Sequence, residues 1–216
     1  MNRARKVILT RSTIAAHFAA GLAASAAHAE IVYTLPPQPI TAAIQLPDTH
    51  ASAPIDINND GVAEFTIHAH HQHSPPFSMM GTYIQAERPG AGIRILPDEG
   101  FAPLPEGTLI SNADSFLTDG LEFWWEVGLG GWAPWQTDAP AFLGFVIDID
   151  GQSHYGWARA QLLFNDPPSP TAFGVSVLDY AYQTEPGVPI LAGQVPAPGA
   201  AALLGLGAIA LRRKRS

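Results

Sequence analysis

The stretch Ala141-Phe142-Leu143-Gly144-Phe145-Val146-Ile147-Asp148-Ile149-Asp150-Gly151-Gln152-Ser153-His154-Tyr155-Gly156-Trp157-Ala158-Arg159 decides the fold class. Phe142, Gly144, Val146 and Asp148 alternate with Leu143, Phe145, Ile147 and Ile149, a period of two that fits a pleated strand. Asp150-Gly151 follows at once, and this dipeptide readily takes the two positive φ values that a tight hairpin turn requires. The return strand then carries Tyr155, Trp157 and Arg159 on one face. Phe173, Val175 and Val177, followed by Leu178, Tyr180 and Tyr182, are expected as a third strand beside it, because sequence neighbours usually neighbour in a sheet.

Further strand-like stretches lie outward from this hairpin: residues 31–35, 40–46, 63–70, 81–87 and 121–127. Turns rich in Pro, Gly, Asp and Asn separate them. Twenty Gly and twenty Pro in 216 residues disfavour a helical bundle and favour short strands joined by turns. The expectation is an all-β fold, an antiparallel sandwich of jelly-roll-like kind, over residues 30–194. A chain without cysteine has no disulfide, thiolate nucleophile or Cys-based metal site, so its apolar core must hold it.

Both ends read as address rather than fold. Residues 1–29 form a signal-peptide pattern, predicted to be helical: a basic start (Arg3, Arg5, Lys6, Arg11), an apolar run, and the small-residue exit Ala27-His28-Ala29, with Glu30 the expected first mature residue. At the other end, residues 195–216 comprise Val195-Pro196-Ala197-Pro198-Gly199, an apolar run to Leu211, and Arg212-Arg213-Lys214-Arg215. As a helix, that apolar run would reach about 20 Å, short of the roughly 30 Å hydrocarbon core. The basic cluster belongs on the cytoplasmic side, which leaves the intervening residues outside the membrane.

This three-part tail resembles the PEP-CTERM sorting signal of Gram-negative surface proteins, although Ala197 stands where the family pattern has Glu. The strands from Phe142 to Gly193 are similar to those often found ahead of such tails. The resemblance implies recognition by an exosortase-type sorting enzyme after signal peptidase has acted, transient residence in the inner membrane, and a setting of exopolysaccharide production. An ordinary anchor that is never cut is the alternative.

Between the two ends stand three cations, Arg88, Arg94 and Arg159, against all nineteen acids, a net charge of −16. Such a surface repels nucleic acid and anionic lipid, and suits cations or neutral glycans.

Three constellations could carry chemistry. Asp56, Asn58 and Asp60, then Gly61, the Val62 carbonyl and Glu64, are spaced as the hard ligands of a Ca²⁺ loop, or else as a plain Asn/Asp-Gly turn. His68, His70, His71 and His73 place imidazoles alternately on two faces of a strand, two for each face. They could present two Zn²⁺ or Cu²⁺ ligands but not four together, with no fixed spacing to a third, or they end a solvated strand before Pro75-Pro76. Trp124, Trp125, Trp132 and Trp135, near Glu122, Glu126 and Asp138, could stack on sugar rings or fill a core. The same carboxylates and histidines, converging in a pocket, would be needed by a secreted hydrolase. The sequence holds no G-x-S-x-G, H-E-x-x-H, phosphate-loop or dinucleotide fingerprint, so a non-catalytic surface or matrix protein is the expected class.

Overall fold

Ile149 faces Gln152 across a two-residue turn in which Asp150 and Gly151 have φ of 55° and 79°. The Gly151 amide donates to Asp148 Oδ1 at 2.9 Å, which closes the turn. This is the expected hairpin, with nine register pairs from Ala141 and Ala160 to Ile149 and Gln152. The computed structural model of the protein describes residues 30–46, 48–74, 77–95, 103–118, 121–127, 139–164 and 172–196. Among the described residues every regular element is a strand, and every strand pair is antiparallel. The two expected flanking helices lie outside those residues.

In chain order the strands are β1 (Ile31–Thr34), β2 (Ile40–Gln45), β3 (His50–Ile55), β4 (Phe65–Ser74), β5 (Phe77–Ala86), β6 (Gly92–Ile95), β7 (Leu109–Ile110), β8 (Ser115–Leu117), β9 (Leu121–Val127), β10 (Ala141–Ile149), β11 (Gln152–Phe164), β12 (Ala172–Gln183) and β13 (Ile190–Leu191). A seven-stranded sheet runs β1-β12-β11-β10-β6-β8, with β2 also on β12. A four-stranded sheet runs β3-β4-β5-β9, and β7 pairs with β13.

β12 lies beside β11 as expected, and its outer edge is shared by two strands in succession. β1 pairs with Tyr180 to Gln183, and β2 pairs with Ala172 to Val177. Pro36, Pro37 and Pro39 interrupt the chain between them, since proline supplies no ladder donor and fixes φ. After β2 the chain crosses to the four-stranded sheet. β3 itself has no strand-like sequence: it is made mostly of small residues, with Pro54 near its end, yet it pairs with β4 from His50–His70 to Ile55–Phe65.

The two large sheets share a core. Ala42, Ile44, Phe145, Ala160, Leu162, Phe173 and Val175 from one meet Ile55, Phe65, Ile67, Ala69 and Ile84 from the other. The seven-stranded sheet is also covered on its second face. There Tyr155 and Trp157 pack with Val146 and Ala181, under Leu104, Ile110, Ile190 and Ala192. Trp157 is 2% exposed, and its indole N–H donates to the Gln194 carbonyl at 2.9 Å. Burial on both faces explains why β10 reads as a nearly unbroken apolar run. Gly156 lies opposite Phe145, and a Cβ there would collide with that ring and with the Ala181 carbonyl.

Candidate functional site

The turn between β3 and β4 folds around its own carboxylates. Asp56 Oδ2 accepts from the Gly61 amide at 2.8 Å, and Asp56 Oδ1 from the Asp60 amide at 3.2 Å. Asn58 Oδ1 also accepts from Asp60 N, and Asp60 Oδ1 accepts from Val62 N, each at 2.9 Å. Positive φ at Asn59 (59°) and Gly61 (90°) is what Asn and Gly tolerate best, and it lets successive amides point inward. The backbone thus aims donors at the acids that precede it.

Ligand atoms of Asp56, Asp60 and Glu64 lie within 4.8 Å of one another. Into this group reaches Arg88, from the segment after β5. Its Nη1 donates to Asp60 Oδ2 at 2.6 Å and to Glu64 Oε1 at 3.1 Å. Glu64 is fully buried, and its other oxygen accepts from the Ile57 amide at 2.7 Å. A buried carboxylate needs such partners, because an unpaired one would carry a large desolvation cost. The bond to Arg88 holds the Asp60 carboxyl below the usual carboxylate range. Burial pushes Glu64 the other way, and the bonds to Ile57 and Arg88 offset this only in part. A Ca²⁺ ion bound to Asp60 and Glu64 would have to displace Arg88, whose nitrogen joins the two acids. Of the residues proposed from sequence, the structure brings Asp56, Asn58, Asp60 and Glu64 together. Val62 is exposed and takes part through its amide, which donates to Asp60.

On the four-stranded sheet, the face away from the core carries His68 and His70 of β4, as the alternation of that strand requires. Sequence reasoning found no third ligand for them. The register supplies one, because His50 of β3 stands directly across from His70. His50 Nε2 and His68 Nδ1 share a hydrogen bond across 3.2 Å. Tyr83 of β5 stacks on His68 with centroids 4.2 Å apart and planes 8° apart, and lies 5.6 Å from the His70 ring. His68 Nε2 is buried without a hydrogen-bond partner. Burial lowers the His68 pKa, reinforced by His50 and His70 and opposed by Glu87, so the ring is biased toward the neutral form.

The tryptophans are divided. Trp124 and Trp125 fall on β9, in register with Gly81 and Met80 of β5, so consecutive positions belong to opposite faces of the sheet. Trp132, Trp135 and Asp138 lie outside the described residues, as do Ala27, Ala29, Ala197, Pro198, Gly199, Arg212, Arg213, Lys214 and Arg215. Glu30 is described: its amide donates to Thr184 Oγ1 at 3.3 Å, and its carbonyl accepts from Thr184 N at 2.8 Å. Val195 and Pro196 are exposed at the other end.

The chain matches no protein-family model, no curated protein and no solved structure. Function must therefore be argued from these residues. Sequence reasoning did not reach Arg88 or His50 as site residues, because both are brought in by strand pairing rather than by local spacing.

Proposed function

We propose that this chain is an exported, non-catalytic surface or matrix protein, delivered by its N-terminal signal and sorted through its PEP-CTERM-like tail. One observation carries the reading: among the described residues the first strand, β1, begins at Ile31 and the last, β13, ends at Leu191, both just inside the two expected cut points. Glu30 immediately precedes β1. Gln194, whose carbonyl caps the Trp157 indole, immediately precedes Val195 of the Pro motif. Cleavage after Ala29 and near Ala197 would leave every core contact described above in place. The finer architecture belongs to the same reading: two antiparallel sheets sharing one core support a jelly-roll-like sandwich as the exported domain.

The net charge of −16 between the cut points suits a soluble domain in a glycan matrix and disfavours nucleic acid. Glycan binding through the tryptophans is the weaker reading. Trp124 and Trp125 occupy consecutive positions of β9 rather than the alternate positions that share a sheet face.

The test is the intact mass of the protein from its native host, in membrane and medium fractions separately. A species running from Glu30 to near Ala197 is expected. One still ending at Ser216 would overturn the sorting reading.

A further inference from the structure

We propose that His50, His68 and His70, on the outward face of the four-stranded sheet, form a binding site for a divalent transition ion that prefers imidazole, Zn²⁺ or Cu²⁺. The inference is independent of how the chain is sorted. Its first support is distance. Two nitrogens on one tetrahedral zinc at about 2.0–2.1 Å each stand about 3.3–3.4 Å apart. His50 Nε2 and His68 Nδ1 are 3.2 Å apart. The pair already has the spacing of two ligands, and an ion would replace the proton they share.

The third ligand comes from the register. Directly opposite residues in antiparallel strands hold their Cβ atoms about 4.5–5.5 Å apart, and His70 is directly opposite His50. Among the described residues, the group whose ligand atoms all lie within 4.8 Å is the acidic one, so His70 must turn from Tyr83 toward the pair to complete the histidine set. That is a side-chain rotation on a fixed strand.

The surroundings suit an ion of this class. Ring nitrogen is a borderline donor that favours Cu²⁺ and Zn²⁺ over Ca²⁺ or Mg²⁺. The stacked Tyr83 ring fixes the His68 plane, while His50 is exposed and leaves one side of the site open to solvent. Glu87 adds favourable negative charge near His68.

The full chain, produced without a histidine tag, is titrated with ZnCl₂ and, separately, CuCl₂ by calorimetry. One equivalent is expected to bind, Cu²⁺ more tightly than Zn²⁺. His50→Gln and His68→Gln should each weaken Zn²⁺ binding by about tenfold or more, as loss of a ligand or its support does. His73→Gln, at an alternate position of β4, and Asp60→Asn, in the acidic turn, should change it less than about twofold. His50 is exposed, so His50→Gln tests the site even if His68→Gln fails to fold. With Cu²⁺ bound, electron paramagnetic resonance should show imidazole nitrogen splitting that simplifies in His50→Gln. Unchanged Zn²⁺ affinity in His50→Gln, or an equal loss in Asp60→Asn, would overturn the proposal.

Discussion

Arg159 holds Asp179 with two nitrogens, Nε to Oδ1 at 2.9 Å and Nη2 to Oδ2 at 2.6 Å, at the place where β11 and β12 slip register. Arg159 faces Asp179, but Ala160 faces Val177, so Leu178 is the extra residue of a bulge. Tyr33 of β1 donates its hydroxyl to the same carboxylate at 3.0 Å. Three strands are therefore tied at one acid, and Asp179 is 3% exposed.

Removing the guanidinium should leave that buried acid short of partners. Arg159→Leu is expected to cost about 2–4 kcal/mol, because an orphaned buried charge loses more than the pair itself contributes. Tyr33→Phe removes one neutral donor and should cost about 0.5–1.5 kcal/mol. Urea unfolding followed by tryptophan fluorescence measures both. Equal costs for the two variants would mean that the bulge, rather than the charge, is what the site stabilises.

Tyrosines give the domain a defined alkaline limit. Burial raises the pKa of Tyr33, Tyr180 and Tyr182 above 10.0, with the bond to Asp179 adding to the shift at Tyr33 and nearby Asp56 and Glu64 adding to it at Tyr180. For each phenol the folded state keeps its proton when the unfolded state has lost it. Their contribution is therefore complete below the unfolded value and is lost as pH rises through the folded one. Stability should fall with pH from about 10 upward, and the tyrosinate absorbance should titrate late in the native protein and normally in urea. Coincident titrations in the two states would contradict this.

What the sequence made legible was whatever local chemistry specifies. The Asp150-Gly151 turn and the alternation around it predict β10, β11 and β12, because turn geometry and side-chain period act over a few residues. The same short range makes the Asp56-to-Glu64 turn readable. β3 was invisible because Ala51, Ser52, Ala53 and Pro54 have little strand preference of their own, and β4 imposes the extended state on them. β6, β7, β8 and β13, of two to four residues each, are too short for a period to show. Arg88 and His50 entered their sites through the registers of β4 with β5 and of β3 with β4. Pairing at that range leaves no mark in spacing, whereas the alternate oxygen-bearing side chains of Asp56, Asn58 and Asp60 do.

The acidic turn offers the last prediction. With Arg88 joining Asp60 to the buried Glu64, the turn carries its own counter-cation. Thermal stability of the wild-type chain should then be the same in Ca²⁺ as in chelator. Arg88→Ala removes that cation and leaves Glu64 buried beside two further acids, so its melting temperature in chelator should fall by degrees rather than tenths of a degree. Part of that loss should return with Ca²⁺, since an ion stabilises only the state that binds it. Differential scanning calorimetry of both chains, with and without Ca²⁺, measures the four temperatures. A wild-type melting point that rises with Ca²⁺ and not with Mg²⁺ would mean that the ion displaces Arg88, and the turn would then be a calcium site in its own right.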